Sequence, residues 1–168
     1  MRKLLLVALL IGAAAPVWAA EDPSGCDKFK WPVDHERAVL TAPDRVKLNS
    51  GSDVAAMPST GITLSLVSPG EAKLPSPPER APKDGTMAGF ASFKAAPKAG
   101  IYIISLSTGA WVDVVQDGHF VKPKAFSGAT DCDGIRKTMK YELSDKPFVL
   151  QISGTKDNSI SIAILPSQ

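Results

Sequence analysis

KTMKYELSDKPFVLQISGTKDNSISIAI, residues 137–164, is the stretch that decides the fold. Met139, Tyr141 and Leu143 alternate with Thr138, Lys140 and Glu142. Asp145-Lys146-Pro147 then turns the chain. Phe148, Leu150 and Ile152 alternate with Val149, Gln151 and Ser153, and Lys156-Asp157-Asn158 turns it again. Ile160, Ile162 and Ile164 alternate with Ser161 and Ala163. Side chains on a strand point to opposite faces in turn, so period-two patterning predicts strands with one face on a core. Three such runs joined by tight turns predict a meander.

The same rhythm extends upstream. Ile62, Leu64 and Leu66 alternate, and Phe90 and Phe93 anchor the run Met87–Phe93. Ile101–Leu106 is β-branched and aromatic. Ala110–Val115 is apolar enough to be buried on both faces. Gln116-Asp117-Gly118 supplies the positive φ angles of a tight hairpin, and His119–Val121 returns from it. No strand–helix–strand alternation occurs. Short strands broken every 8–12 residues by Gly, Pro, Asp or Asn define an all-β class. The sequence predicts an antiparallel β-sandwich or jelly roll of about eight strands, with one short N-terminal helix.

That helix is expected near 33–41. Pro32 suits a first turn, where its missing N–H has no partner to lose. Asp34 and Glu36 favour the positive end of the helix dipole, and Pro43 stops the run. Ser68–Thr86 holds five prolines and two glycines in 19 residues. Proline cannot donate to a sheet ladder, so this segment is expected as an ordered loop or flap, with a polyproline surface over 75–82.

Residues 1–19 read as a cleavable secretory signal. Arg2 and Lys3 open it, Leu4–Ala15 is apolar, and Val17-Trp18-Ala19 fits a cleavage site after Ala19. The apolar run is too short to span a bilayer and no second long one follows, so no transmembrane anchor is expected. The expected organisation is a signal at 1–19, a leader and short helix over 20–42, and a sandwich over 43–168 that forms one globular unit with 26–42. The expected location is periplasmic or secreted.

Removing Arg2 and Lys3 lowers Lys+Arg from 19 to 17, equal to the 17 Asp+Glu. A balanced charge argues against a nucleic-acid partner, which calls for a basic face. Cys26 and Cys132 are the only cysteines. In an oxidising compartment they are expected to form one disulfide, closing a loop of about 107 residues and stabilising the fold by roughly 2–4 kcal/mol.

The sequence offers little that is catalytic. No Gly-x-Ser-x-Gly elbow occurs, and no residue is assigned a catalytic role. His35 and His119 are the only histidines. His35 falls in the charged turn Asp34-His35-Glu36-Arg37, and His119 follows a hairpin turn. A metal site is possible only if the fold brings both together with an acid such as Asp117 or Glu36. Asp131-Cys132-Asp133-Gly134 resembles the start of a calcium loop, with Asp131 and Asp133 as donors, but the further acids of such a loop are missing. No cofactor is expected. Trp111 is assigned to the core, and Trp31 to packing of the helix on the sandwich.

Gly109-Ala110-Trp111-Val112-Asp113-Val114, Asp131-Cys132, Ile135-Arg136-Lys137 and Pro147–Gly154, with Cys26 and Trp31-Pro32, carry a resemblance. The stretch from Gly100 to Ile164 resembles small secreted β-sandwich proteins of proteobacteria, most of them without an assigned function. Proteins of this kind sometimes carry the label homogentisate 1,2-dioxygenase. This chain is far shorter than that enzyme, is expected to be exported and lacks its clustered His and Glu iron ligands, so the label is not carried over. The last strands also look like the bacterial pre-peptidase C-terminal type of sandwich, which implies a binding or accessory role.

The resulting expectation is an exported, non-catalytic binding or accessory domain whose partner is a small molecule, a glycan or an envelope protein. Two alternatives stand beside it. One is an envelope structural protein docking through the Pro-rich loop. The other is a small metal-dependent enzyme using His35 and His119.

Overall fold

The structure is a computed structural model that describes residues 23–167. The expected signal and cleavage site lie outside the described residues. Two open sheets face each other. The six-stranded sheet contains β1 (Val46–Leu48), β3 (Ile62–Ser65), β11 (Ser159–Pro166), β5 (Gly100–Leu106), β9 (Lys137–Leu143) and β8 (Ala125–Gly128), in that order. The five-stranded sheet contains β2 (Ser52–Val54), β4 (Met87–Phe93), β10 (Phe148–Thr155), β6 (Trp111–Gln116) and β7 (His119–Val121).

The alternating residues of 137–164 meet in the middle. Met139, Tyr141 and Leu143 of β9, Phe148, Leu150 and Ile152 of β10, and Ile160, Ile162 and Ile164 of β11 belong to one core. Phe93 and Phe148 stack there with ring centroids 4.8 Å apart. Offset or stacked aromatic pairs add about 0.5–1.5 kcal/mol beyond the area they bury.

The three last strands do not form a meander. β9 pairs with β5 and β8, β10 pairs with β4 and β6, and β11 returns to the first sheet beside β5 and β3. The chain crosses the core at both turns. Period two says that a strand has a buried face but not which sheet the strand joins. The sheets are also mixed: β1 pairs with β3, and β2 with β4, in parallel. Between β1 and β3 the chain crosses to the other sheet as β2, so it re-enters its first sheet running the same way.

Among the described residues there are eleven strands where the pattern predicts about eight. β1, β2 and β8 have three or four residues each, too few to establish an alternation. The predicted helix is α1 (Asp34–Thr41). A one-turn 3-10 helix at Cys26–Lys28 and a second short helix, α2 (Pro69–Ala72), are additional. Ser68 and Glu71 cap α2 reciprocally, and Pro69 opens it.

Both outer faces are covered. α1 and the segment before it pack on the six-stranded sheet, where Phe29, Val33 and Leu40 bury Ala163 and Leu165. Trp31 packs at the edge of this second cluster, as expected. Cys26 and Cys132 form a disulfide with Cα atoms 4.8 Å apart. Beside it, Gly134 has φ +81°, and a Cβ there would stand 2.5 Å from Thr41 Cγ2 of α1. The glycine is therefore needed both for the turn and for the approach of the helix. Among the described residues no helix is long and apolar enough to cross a membrane.

Candidate functional site

The Pro-rich segment lies across the outer face of the five-stranded sheet as a strap. Gln151 of β10 holds it in two directions. The Ser76 amide donates to Gln151 Oε1 at 2.9 Å, and Gln151 Nε2 donates to the Ser76 carbonyl at 3.1 Å. One step along the sheet, the Glu79 amide donates to Asp113 Oδ2 at 3.2 Å. Gln151 and Asp113 are cross-strand partners, so they share this outer face. Lys122 pairs with the Glu79 carboxylate. The strap helps to bury the outer side of β6 at Asp113.

The strap leads to an open end of the sandwich. β7 pairs with β6 only over Val114–Gln116, so Trp111–Asp113 have no strand beyond them on that side. Lys137 and Tyr141 of β9 reach across instead. Lys137 Nζ donates to the Ala110 carbonyl at 2.9 Å, and Tyr141 Oη makes a long contact of 3.5 Å to the Val112 carbonyl. Lys137 shares the core-facing side of β9 with Met139 and Tyr141, but it sits at the end of the strand where the facing sheet stops.

Trp111 is not in the core. Val112 and Val114 face inward, so period two turns Trp111 and Asp113 outward. Trp111 Nε1 donates to Asp113 Oδ1 at 2.7 Å. The guanidinium of Arg80 on the strap lies 5.7 Å from the Trp111 ring, and Lys137 Nζ lies 5.6 Å from it. Lys137 Nζ is also 5.5 Å from the ring of Phe126. Phe126 lies opposite Met139 and so faces inward, but β8 is an edge strand beyond the cover of the other sheet. Its side is left 50% exposed.

Phe126 lines two hollows. One, of about 440 Å³, runs past Arg80, Lys83, Trp111 and the bulge at Ser153-Gly154. The other, of about 420 Å³, runs past Lys28, Lys30, Gly128 and Arg136. Lys137 and Phe126 belong to both, and no acidic residue lines either among the described residues. Lys28 pairs with Asp27 at 2.7 Å. A third, apolar hollow of about 290 Å³ opens beneath them over Val112, Val121, Met139 and Tyr141, with Glu79 and Asp113 at its rim.

The electrostatics of the cleft follow from this placement. Burial pulls the Lys137 ammonium below its ordinary range, and the Arg136 and Arg80 charges pull it further. Burial pushes the Asp113 carboxyl up, against hydrogen bonds from Trp111 and the Glu79 amide that hold it down. Burial, with the nearby Asp113 and Glu79 charges, also pushes the Tyr141 phenol up. Perturbed groups gathered in one cleft mark a candidate site.

The residues singled out from the sequence stand elsewhere. His35 is exposed on α1, against the six-stranded sheet, while His119 is exposed on β7, at the edge of the other sheet. Asp117 pairs with Lys146 at 2.8 Å. Asp131 accepts a hydrogen bond from Ser24 Oγ at 2.6 Å, and the Asp133 carbonyl accepts one from Arg37 Nε. The Asp131–Gly134 turn thus docks the N-terminal leader and α1. Among the described residues no group of three or more His, Cys, Asp and Glu could hold a metal.

The cleft was missed because its parts lie far apart in sequence. One signal was present: Lys137 occupies a core-facing position in an alternating strand, where a charge needs a reason. No protein family, curated protein or solved structure matches the chain.

Proposed function

We propose that the chain is an exported, non-catalytic binding or accessory domain that takes a small anion in the cleft at Trp111, Phe126 and Lys137. One observation carries this reading. The largely desolvated Lys137 ammonium lies within 6 Å of the rings of Trp111 and Phe126, with the Arg80 guanidinium over the same Trp111 ring, in a hollow whose described lining holds cations and aromatic rings but no acid. An anion placed there would relieve like-charge repulsion, and in a site of reduced solvent access its pairing is screened little. Phe126 and Trp111 supply flat apolar surface for the body of the ligand.

The disulfide and the resemblance to small secreted sandwich proteins support an exported location. Asp113 and Glu79, which could compete for the cations, are engaged by Trp111, the strap and Lys122.

The test is a titration followed by ¹⁵N spectra, with D-galacturonate as the anionic probe and D-galactose as its neutral counterpart. Galacturonate should shift the Trp111 indole signal and leave that of Trp31 in place, and galactose should shift neither. Lys137→Met should abolish the response. A Trp111 signal unmoved by galacturonate at about 10 mM, enough to show even very weak binding, would sink the proposal.

A further inference from the structure

We infer that the ligand is an aliphatic carboxylate whose head group sits against Lys137 at the Trp111 ring and whose single apolar tail enters the hollow over Val112, Met139 and Tyr141. This rests on the binding reading above and deepens it by naming the class of ligand. The hollow of about 290 Å³ differs in chemistry from its two neighbours. Buried Val112, Met139 and Tyr141 form its floor, and exposed Pro123 and Phe126 stand at its mouth. Apart from two lysines and two acids, every side chain that lines it is apolar or aromatic. An apolar cavity of about 150 Å³ takes benzene, so this hollow has room for one tail of roughly six to ten carbons.

Charge marks one end of the hollow. Trp111, Phe126 and Lys137 line both it and the neighbouring hollow of about 440 Å³ that carries Arg80 and Lys83, so the two meet at the ammonium. A carboxylate placed there pairs with Lys137, and Arg80 stands over the same Trp111 ring. The acids on the rim are already engaged. Asp113 accepts from Trp111 Nε1 and from the Glu79 amide, and the Glu79 carboxylate pairs with Lys122. Their charge repels a second carboxylate, which gives the ligand a direction, with its head at Lys137 and a tail that carries no charge. A hydroxyl-rich tail would leave polar groups unpaired against Val112 and Met139, and that costs free energy that a hydrocarbon does not spend.

The experiment titrates the purified protein with butanoate, octanoate, octanamide and octanedioate, all below the concentrations at which they form micelles. The Trp111 indole signal and the Met139 methyl signal are followed by NMR. A fully buried methylene is worth about a fourfold gain in affinity. The hollow is open on one side, so about half of that free energy is expected, or about a 16-fold gain from butanoate to octanoate. Octanoate should shift the Met139 methyl and leave that of Met57 in place. Octanamide, which lacks the charge, should bind about tenfold or more weakly than octanoate. Octanedioate should lose most of the gain that octanoate shows. If butanoate and galacturonate shift Trp111 but octanoate binds no more tightly than they do, the inference is overturned and the binding reading stands. Octanamide or octanedioate binding as tightly as octanoate would also overturn it, the first because the charge is not used and the second because the tail does not lie beside the acids. A Trp111 signal that no carboxylate moves would overturn both.

Discussion

Gln151→Met should loosen the strap, and the size of the effect follows from the geometry. The substitution keeps side-chain length and apolar bulk but removes the amide that accepts from Ser76 N–H and donates to Ser76 C=O. Gln151 is 1% exposed, so water cannot replace it without movement. Two lost hydrogen bonds at about 1 kcal/mol net each give about 2 kcal/mol. Were both Ser76 groups to stay buried and unpaired, each would cost a further 1–3 kcal/mol or so. The strap is partly exposed on its outer side, so it can lift and hydrate them, which keeps the loss near the lower figure. The melting temperature should therefore fall by roughly 4–8 °C. Amide exchange is the sharper assay, because the strap has few amides between its prolines. Ser76 should exchange about 30-fold faster, the factor equivalent to 2 kcal/mol. Glu79, still held by Asp113, should change less. Unchanged stability together with unchanged Ser76 exchange would refute the clamp.

Reducing the Cys26–Cys132 disulfide should destabilise the fold by about 2–5 kcal/mol, since loop closure over a separation of 106 residues gives a value near the top of that range. Thermal melts with and without dithiothreitol should differ by roughly 5–15 °C, and a difference of under about 2 °C would exclude a loop-closure contribution. Lys137 should leave a mark on stability against pH. Its folded pKa lies below the ordinary 10.5, so between those two values the unfolded chain binds more protons and stability rises with pH. Urea unfolding up to about pH 10, with the tyrosines that ordinarily titrate near there common to both proteins, should show this rise in the wild type relative to Lys137→Met. Parallel profiles would show that Lys137 is not held below its ordinary value.

The sequence alone determined most of the strands, the helix near 33–41 and the cysteine pair that the structure joins. Each rests on a local or countable property. Period two fixes which face of 137–164 is buried, Pro32 and Pro43 bracket α1, and two cysteines have only each other to bond. Pairing was not legible, because an alternating strand satisfies its hydrogen bonds equally well in either sheet. β1, β2 and β8 were also lost, since they are short and show no period. Trp111 was misassigned for a related reason. In a strand buried on both faces, hydrophobicity cannot say which side meets the core and which meets the strap. The cleft belongs wholly to tertiary structure. It needs the strap to carry Arg80 over Trp111, β8 to extend past the opposite sheet and expose Phe126, and β9 to deliver Lys137 between the two rings. The strap is separated from β8 and β9 by dozens of residues, and only the folding of the chain across the two sheets brings their charges and rings together.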